Sequence, residues 1–191
     1  MKIFFDTEFT GLHKDTTLVS IGIVDENGRS FYAEFSDYDK DQCDDWIKEN
    51  VIKHLYLGNY EHIEISDNHI SVYGNKKFIK EKVEKWLSEY NEVNLISDCC
   101  HYDMVLFIDI FGSAFDLPKN VNPACHDINQ DIAKKFSISE KEAFDLSREK
   151  IIENHNLFSG NSSNKIFITG DKHNSLYDAK VIKEIYNIIK Y

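Results

Sequence analysis

The chain predicts a mixed α/β domain, in which three early strands open a sheet and alternating helices and strands complete it. Three observations predict this. Apolar runs at residues 2–6, 18–25 and 29–35 are separated by turn residues, with Asn27-Gly28 as a hairpin signal between the last two. From residue 78 onward, helical periodicity alternates with short buried runs. The 191 residues, 42% hydrophobic and 13% aromatic, suit one globular domain over 1–191 rather than a disordered acidic chain.

Taken in order, residues 2–6 make a short apolar strand. In the third strand Phe31, Ala33 and Phe35 share one face, as a half-buried strand requires. Residues 42–57 read as a helix with Trp46, Ile47, Val51 and Leu55 inward, and 61–73 as a second small hairpin around Asp67-Asn68. The clearest helix is 78–90, where Ile79, Val83, Trp86, Leu87 and Tyr90 form one apolar stripe. Residues 93–98 read as a buried strand, and 101–111 as a helix buried nearly all round that Gly112 stops. After Pro118 and Pro123 a short strand ends near His126, and Asp127 caps the next helix. Ser139 and Glu142 form a capping box for a helix reaching about residue 154. The polar tract 159–164 reads as a flexible loop, an insertion or flap, and the last helix starts near Ser175.

Bulk features narrow the function. Asp plus Glu number 33 against 22 Lys plus Arg, a formal charge of −11. That balance excludes a bulk-electrostatic binder of duplexes or anionic membranes. Only Arg29 and Arg148 are arginines, so arginine forks are no main theme. The four cysteines, Cys43, Cys99, Cys100 and Cys125, lack framework spacing, which fits a reducing compartment. Ile3, Phe4 and Phe5 are too short a run for a signal peptide, and no membrane span is legible. A soluble, cytoplasmic protein is expected.

The chemistry-bearing residues fall in three places. Asp6 and Glu8 lie two apart at the end of the first strand and point the same way. Paired carboxylates that close repel unless a cation sits between them, and hard oxygen ligands suit Mg²⁺ or Mn²⁺. The bland reading is a solvated acidic strand end. Asp103 opens an apolar helix and either serves the helix dipole or faces a site. Asp98 is its rival as a site residue, although capping suits Asp98 better. His173 and Asp178 would sit ~140° apart on one helix. They converge more easily with His173 on the preceding loop and Asp178 in the first turns. Cys99, Cys100, His101, Cys125 and His126 invite a zinc reading, but adjacent cysteines chelate awkwardly and buried small side chains account for them. Lys172 and the 76–85 lysines read as solvated, with a phosphate contact as the functional alternative.

Together, Asp6-Thr7-Glu8-Phe9-Thr10-Gly11-Leu12, His101-Tyr102-Asp103 and His173-Asn174-Ser175-Leu176-Tyr177-Asp178-Ala179 resemble the three motifs of the DEDDh (DnaQ-like) 3′–5′ exonucleases. The chain is most similar to a compact bacterial and phage exoribonuclease branch. His five residues before Asp178, with Asn174 where the sister group has Tyr, fits the His subtype. Cys99-Cys100 departs from the Asn or Ala that relatives often carry.

The resemblance implies an RNase H-like fold, with a mixed sheet of about five strands, the first three antiparallel, and helices on both faces. It implies that Asp6, Glu8, Asp103 and Asp178 hold two divalent cations, Mg²⁺ or Mn²⁺, and that His173 is the general base. Phe9, Thr10, Gly11 and Leu12 would line the 3′-terminal nucleotide. The partner would be a single-stranded RNA 3′ end, the product a nucleoside 5′-monophosphate. Some relatives are dimers, which admits a homodimer. Two alternatives stand beside this: a single-stranded DNA 3′–5′ exonuclease, and a catalytically silent relative that binds nucleic acid or protein. All five expected motif positions are filled, which weighs against the silent relative.

Overall fold

A computed structural model describes residues 1–158 and 165–190. The sequence-predicted loop at 159–164 lies outside the described residues. Strands β1 (Lys2–Phe9), β2 (Leu18–Asp25) and β3 (Ser30–Phe35) form an antiparallel meander. Helix α1 is Asp45–Asn50, β4 is His62–Ile65 and β5 is His69–Gly74. Then come α2 (Lys76–Leu87), β6 (Asn94–Ser97), α3 (Cys100–Phe111), β7 (His126–Asp127), α4 (Ile128–Phe136), α5 (Glu140–Asp145), α6 (Arg148–Phe158) and α7 (Ser175–Lys190). The sheet order is β4-β5-β3-β2-β1-β6-β7. β5 joins β3 in parallel, and β6 and β7 extend the other side in parallel, so β1 lies inside the sheet.

The side-chain alternation of β1 sorts the two cores. Ile3 and Phe5 face one side, packed with Trp86 of α2 and Phe107 of α3. Phe4 faces the other, packed with Ile128 of α4, Ile152 of α6 and Ile182 of α7. Helices therefore cover both faces.

Several elements differ from the sequence reading. Among the described residues the sheet has seven strands rather than about five. The 61–73 hairpin joins it through β5, and the two-residue β7 joins its far edge. Residues 42–57 are not one helix. Asp44 caps α1, its Oδ1 accepting from the Ile47 amide at 2.8 Å, and 3₁₀ turns at Lys40–Gln42 and Ile52–His54 flank it. Asn75 likewise starts α2 two residues before Phe78, with Oδ1 accepting from the Phe78 amide. Tyr90 lies beyond α2 and donates its hydroxyl to Asp25.

The capping box at Ser139 and Glu142 is present, but the expected helix breaks into α5 and α6. Arg148 takes the carbonyls of Ala143 at 2.8 Å and Leu146 at 2.9 Å, which satisfies acceptors that a continuing helix would use. Helix α3 is not buried all round, since Val105 is 64% exposed. No helix among the described residues is long and apolar enough to cross a membrane.

Candidate active site

Asp6 and Glu8 follow Phe4 in the β1 alternation, so both carboxylates point to the face that α7 covers. Thr7 points the opposite way, toward α3. The first turn of α7 lies directly on β2 because Gly22 has no side chain. A Cβ there would come within 2.2 Å of the Ser175 carbonyl oxygen and 2.3 Å of the Leu176 nitrogen. Ser20 and Ser175 add a buried hydroxyl pair at 2.9 Å. This close seat brings Asp178 to β1, and ligand oxygens of Asp6, Glu8 and Asp178 lie within 4.8 Å of one another.

Asp103 arrives from the other side. Its Oδ1 accepts from the Thr7 amide at 3.1 Å and the Thr7 hydroxyl at 2.6 Å, and its Oδ2 accepts a short bond from Ser97. The residue is 1% exposed. Oxygens of Asp6, Asp98 and Asp103 form a second group within 4.8 Å. The two groups share Asp6, whose Oδ2 is closed to solvent and has no hydrogen-bond partner.

So much negative charge in little water is costly. Burial first, then the charges of Asp103, Asp178 and Glu8, raise the Asp6 pKa well above the ordinary carboxylate value. Burial, then Asp178 and Asp103, raise Glu8 in the same way. Burial also pushes Asp103 up to about 7, against the pull of its Ser97 and Thr7 hydrogen bonds. Asp178 rises to about 7 through burial and the Asp98 charge, opposed by the His173 amide, which donates to it at 2.8 Å. An orphaned oxygen amid repelling hard donors is what a divalent cation satisfies, so these residues fit the expected metal pair.

His173 sits on the loop before α7, as the spacing suggests, in a left-handed conformation with φ 64°. Its ring meets the edge of Trp46 at 5.2 Å. Burial, then the positive charges of Lys172 and His54, lower its pKa from 6.5. The ring is therefore mostly neutral near pH 7 and able to accept a proton.

These groups line one cleft of about 510 Å³, together with Phe9, Gly11, Leu12, Trp46, Phe144 and Arg148. Phe9 stacks on Tyr102 with ring centroids 5.0 Å apart, and Leu12 is 78% exposed. Thr10 does not line the cleft, contrary to expectation. Its buried hydroxyl bonds Gln42 at 2.5 Å and the Thr17 amide at 2.9 Å, which holds the loop carrying Gly11 and Leu12.

Other expectations change too. Asp98 is no cap, because Cys99 occupies the capping position before α3 and makes no side-chain cap bond. Instead Asp98 pairs with Arg148 Nε at 2.9 Å, and Arg148 also donates to Asn129. Trp46, expected inward, is 53% exposed in the cleft wall. Asp98, which the sequence offers only as a rival to Asp103, thus lines the cleft, and Arg148 and Trp46 line it without being marked as site residues in the sequence. The sequence reads Trp46 as part of the inward stripe, and nothing in it singles out Arg148 beyond its being one of two arginines. Asp127 does cap α4. Lys76 pairs with Asp109 at 2.7 Å, and Lys172 lies 3.8 Å from Glu149. Arg29 forks onto Glu89 at 2.6 and 2.9 Å, so it too is engaged internally. No cysteine–histidine metal group forms among the described residues.

Two solved structures share the fold. One, of 3′-end specific recognition of histone mRNA stem-loop by a 3′-exonuclease, has a TM-score of 0.64 at 12% identity, covering 99% of this chain and 63% of that one. The other is the nuclease domain of 3′hExo, a DEDDh family member, bound to rAMP. Its TM-score is 0.59 at 12% identity, with 99% and 90% covered. Two curated relatives from Mycobacterium tuberculosis, 3′-5′ exoribonucleases Rv2179c (strain H37Rv) and MT2234.1 (strain CDC 1551), are each 36% identical over 55 residues, which is 29% of this chain. That match spans about a third, 33%, of each relative's length. A family model described as the 3′-5′ exoribonuclease Rv2179c-like domain matches residues 1–190. With the acidic cluster, the DEDDh-type fold and this match over nearly the whole length in view, the chain belongs to the Rv2179c-like 3′-5′ exoribonuclease domain family.

Proposed function

We propose that this chain is a divalent-metal-dependent 3′–5′ exonuclease that releases nucleoside 5′-monophosphates from single-stranded 3′ ends, with RNA favoured. The observation that carries the reading is that carboxylates from β1 and α7 and from α3 form two groups sharing Asp6, whose Oδ2 has no hydrogen-bond partner. Asp6, Glu8, Asp103 and Asp178 would hold two cations. When bound, such a pair supplies charge neutralisation and Lewis acidity at a phosphodiester.

The remaining work falls to the chain itself. His173 accepts the proton of the attacking water; its lowered pKa keeps it neutral for that task. The Asp178 carboxylate fixes the His173 backbone through the 2.8 Å bond to its amide. Phe9, braced by Tyr102, offers a flat platform for the terminal base, and exposed Leu12 supplies an apolar edge beside it. A Cβ at Gly11 would meet only the His13 ring, and the bare backbone leaves room for a sugar-phosphate. Thr10 acts from behind, by holding that loop. Arg148 pairs with Asp98 at the edge of the carboxylate cluster and offsets part of its charge.

The reading places the protein in the cytoplasm, where free thiols stay reduced. A homodimer belongs to it as well, supported by Ile63 and Ile65, which are exposed on the edge strand β4. The RNA preference rests on the family and on the RNA named for the structural neighbours. Single-stranded RNA and DNA of matched sequence, labelled at either end and incubated with Mg²⁺, Mn²⁺ or EDTA, test it. Metal-dependent shortening from the 3′ end, faster on RNA, is expected. Faster loss of DNA would move the assignment to a DNA exonuclease, and no cleavage of either in metal would contradict catalysis.

A further inference from the structure

We propose that Cys100 and Cys125 form a modification site: a thiol pair that peroxide closes into a disulfide and a thiol reductant reopens. Their sulfurs lie 3.0 Å apart although the residues are 25 apart in sequence. That gap is only about 1 Å more than the ~2.05 Å of a disulfide bond. Both are free thiols and both are partly exposed, so a small oxidant can reach them. Their other hydrogen-bonding contacts are long ones to carbonyls, Ser97 at 3.7 Å and His126 at 3.9 Å.

The other thiols are differently placed. Cys43 is buried, and Cys99 points to His101 Nε2 at 3.8 Å. A zinc site does not fit the same pair. Zinc takes four ligands, and the groups of three or more metal-ligating side chains among the described residues are the two acidic ones.

The chemistry balances with one peroxide. One thiol takes an oxygen atom from hydrogen peroxide to become a sulfenic acid, and one water leaves. The second sulfur then attacks the sulfenic sulfur. The S–S bond forms, the S–O bond breaks, and the hydroxyl leaves as water with the second thiol's proton.

The bond would act on a sensitive place. Cys100 is the first residue of α3, and Asp103 lies one turn on, with both oxygens held by Thr7 and Ser97. Cys125 immediately precedes β7. Drawing the sulfurs together shifts the start of α3 against that anchored carboxylate. A misplacement of ~1 Å costs up to ~10²-fold in rate. This consequence rests on the proposed exonuclease reading, whereas the disulfide itself does not.

The test treats the whole chain with hydrogen peroxide at a few equivalents, then counts free thiols and maps disulfide-linked peptides. Loss of two of the four thiols with a Cys100–Cys125 peptide is expected, reversed by dithiothreitol, and absent in Cys125→Ser with unchanged circular dichroism. Four thiols retained, a different linkage, or stoichiometric zinc lost in Cys125→Ser would overturn the site. For the consequence, wild-type exonuclease rate should fall about tenfold or more on oxidation and recover on reduction, while Cys125→Ser stays active throughout. A quantitative disulfide with an unchanged rate would overturn the link to Asp103. An inactive reduced wild type would contradict the exonuclease reading and leave the thiol count to judge the site.

Discussion

Asp6 and Asp103 are held by opposite means. Asp103 is fixed by three protein hydrogen bonds, whereas Asp6 Oδ2 has none, so Asp6 is the residue with most to gain from a cation. Replacing it relieves buried repulsion. In EDTA near neutral pH, Asp6→Asn should melt about 2–4 °C above wild type while its nuclease rate drops ~10²-fold or more. A calorimetric scan and a mononucleotide-release assay check both. A lower Tm with normal turnover would remove Asp6 from the site. His173→Ala should slow single-turnover cleavage by ~10²- to 10⁴-fold and leave the circular dichroism unchanged.

Much of this was legible. The two-residue period of a strand put Asp6 and Glu8 on one face, and the loop position of His173 let it meet Asp178. The pairing of Asp98 with Arg148 was not legible, because it spans 50 residues and depends on the break between α5 and α6. Nor was Thr10, whose side chain turns inward to Gln42.

At the scale of elements, the site depends on α7 lying against β2 without a gap. Gly22 is what permits it, and backbone atoms, which cannot rotate away, would meet any side chain there. Gly22→Ala should therefore destabilise the protein by about 3 kcal/mol or more. It should also cost nuclease activity in whatever protein stays folded, because Asp178 and His173 move with the start of α7. A Gly22→Ala protein of normal Tm and normal turnover would show that this seat does not set the site. Nothing in the strand Leu-Val-Ser-Ile-Gly announces the contact, since a strand glycine equally marks a bulge. Helix starts at Asp127 and Ser139 were readable because a cap is a local bond. The start of α2 at Asn75, the short α1 and the broken α5–α6 unit were not. Asn75 and Asp44 cap where the apolar stripes alone gave no stop, and a distant arginine ends α5.

Over the whole molecule, the charge of −11 has a local concentration with a pH signature. Asp103 and Asp178 rise to about 7 in the folded chain from ordinary values of 3.8. Their folded state therefore favours the protonated form. In metal-free protein their contribution to stability is fully present below about pH 4 and is lost as pH rises through 7. Cations bind the deprotonated carboxylates, so the stabilisation they give grows over the same window. Mg²⁺ or Mn²⁺ should raise Tm more near pH 8 than near pH 5.5; an equal rise at both would contradict cation binding at these carboxylates.

The acidic balance that weighs against gripping long duplexes is compatible with holding a single-strand end through cations and a few aromatic contacts. The most direct measurement follows nucleoside 5′-monophosphate release from a 3′-labelled single-stranded RNA, by wild type and Asp6→Asn, in Mn²⁺ and in EDTA. The account expects release by wild type in Mn²⁺ alone. Equal release by Asp6→Asn, or release by wild type in EDTA, would contradict it.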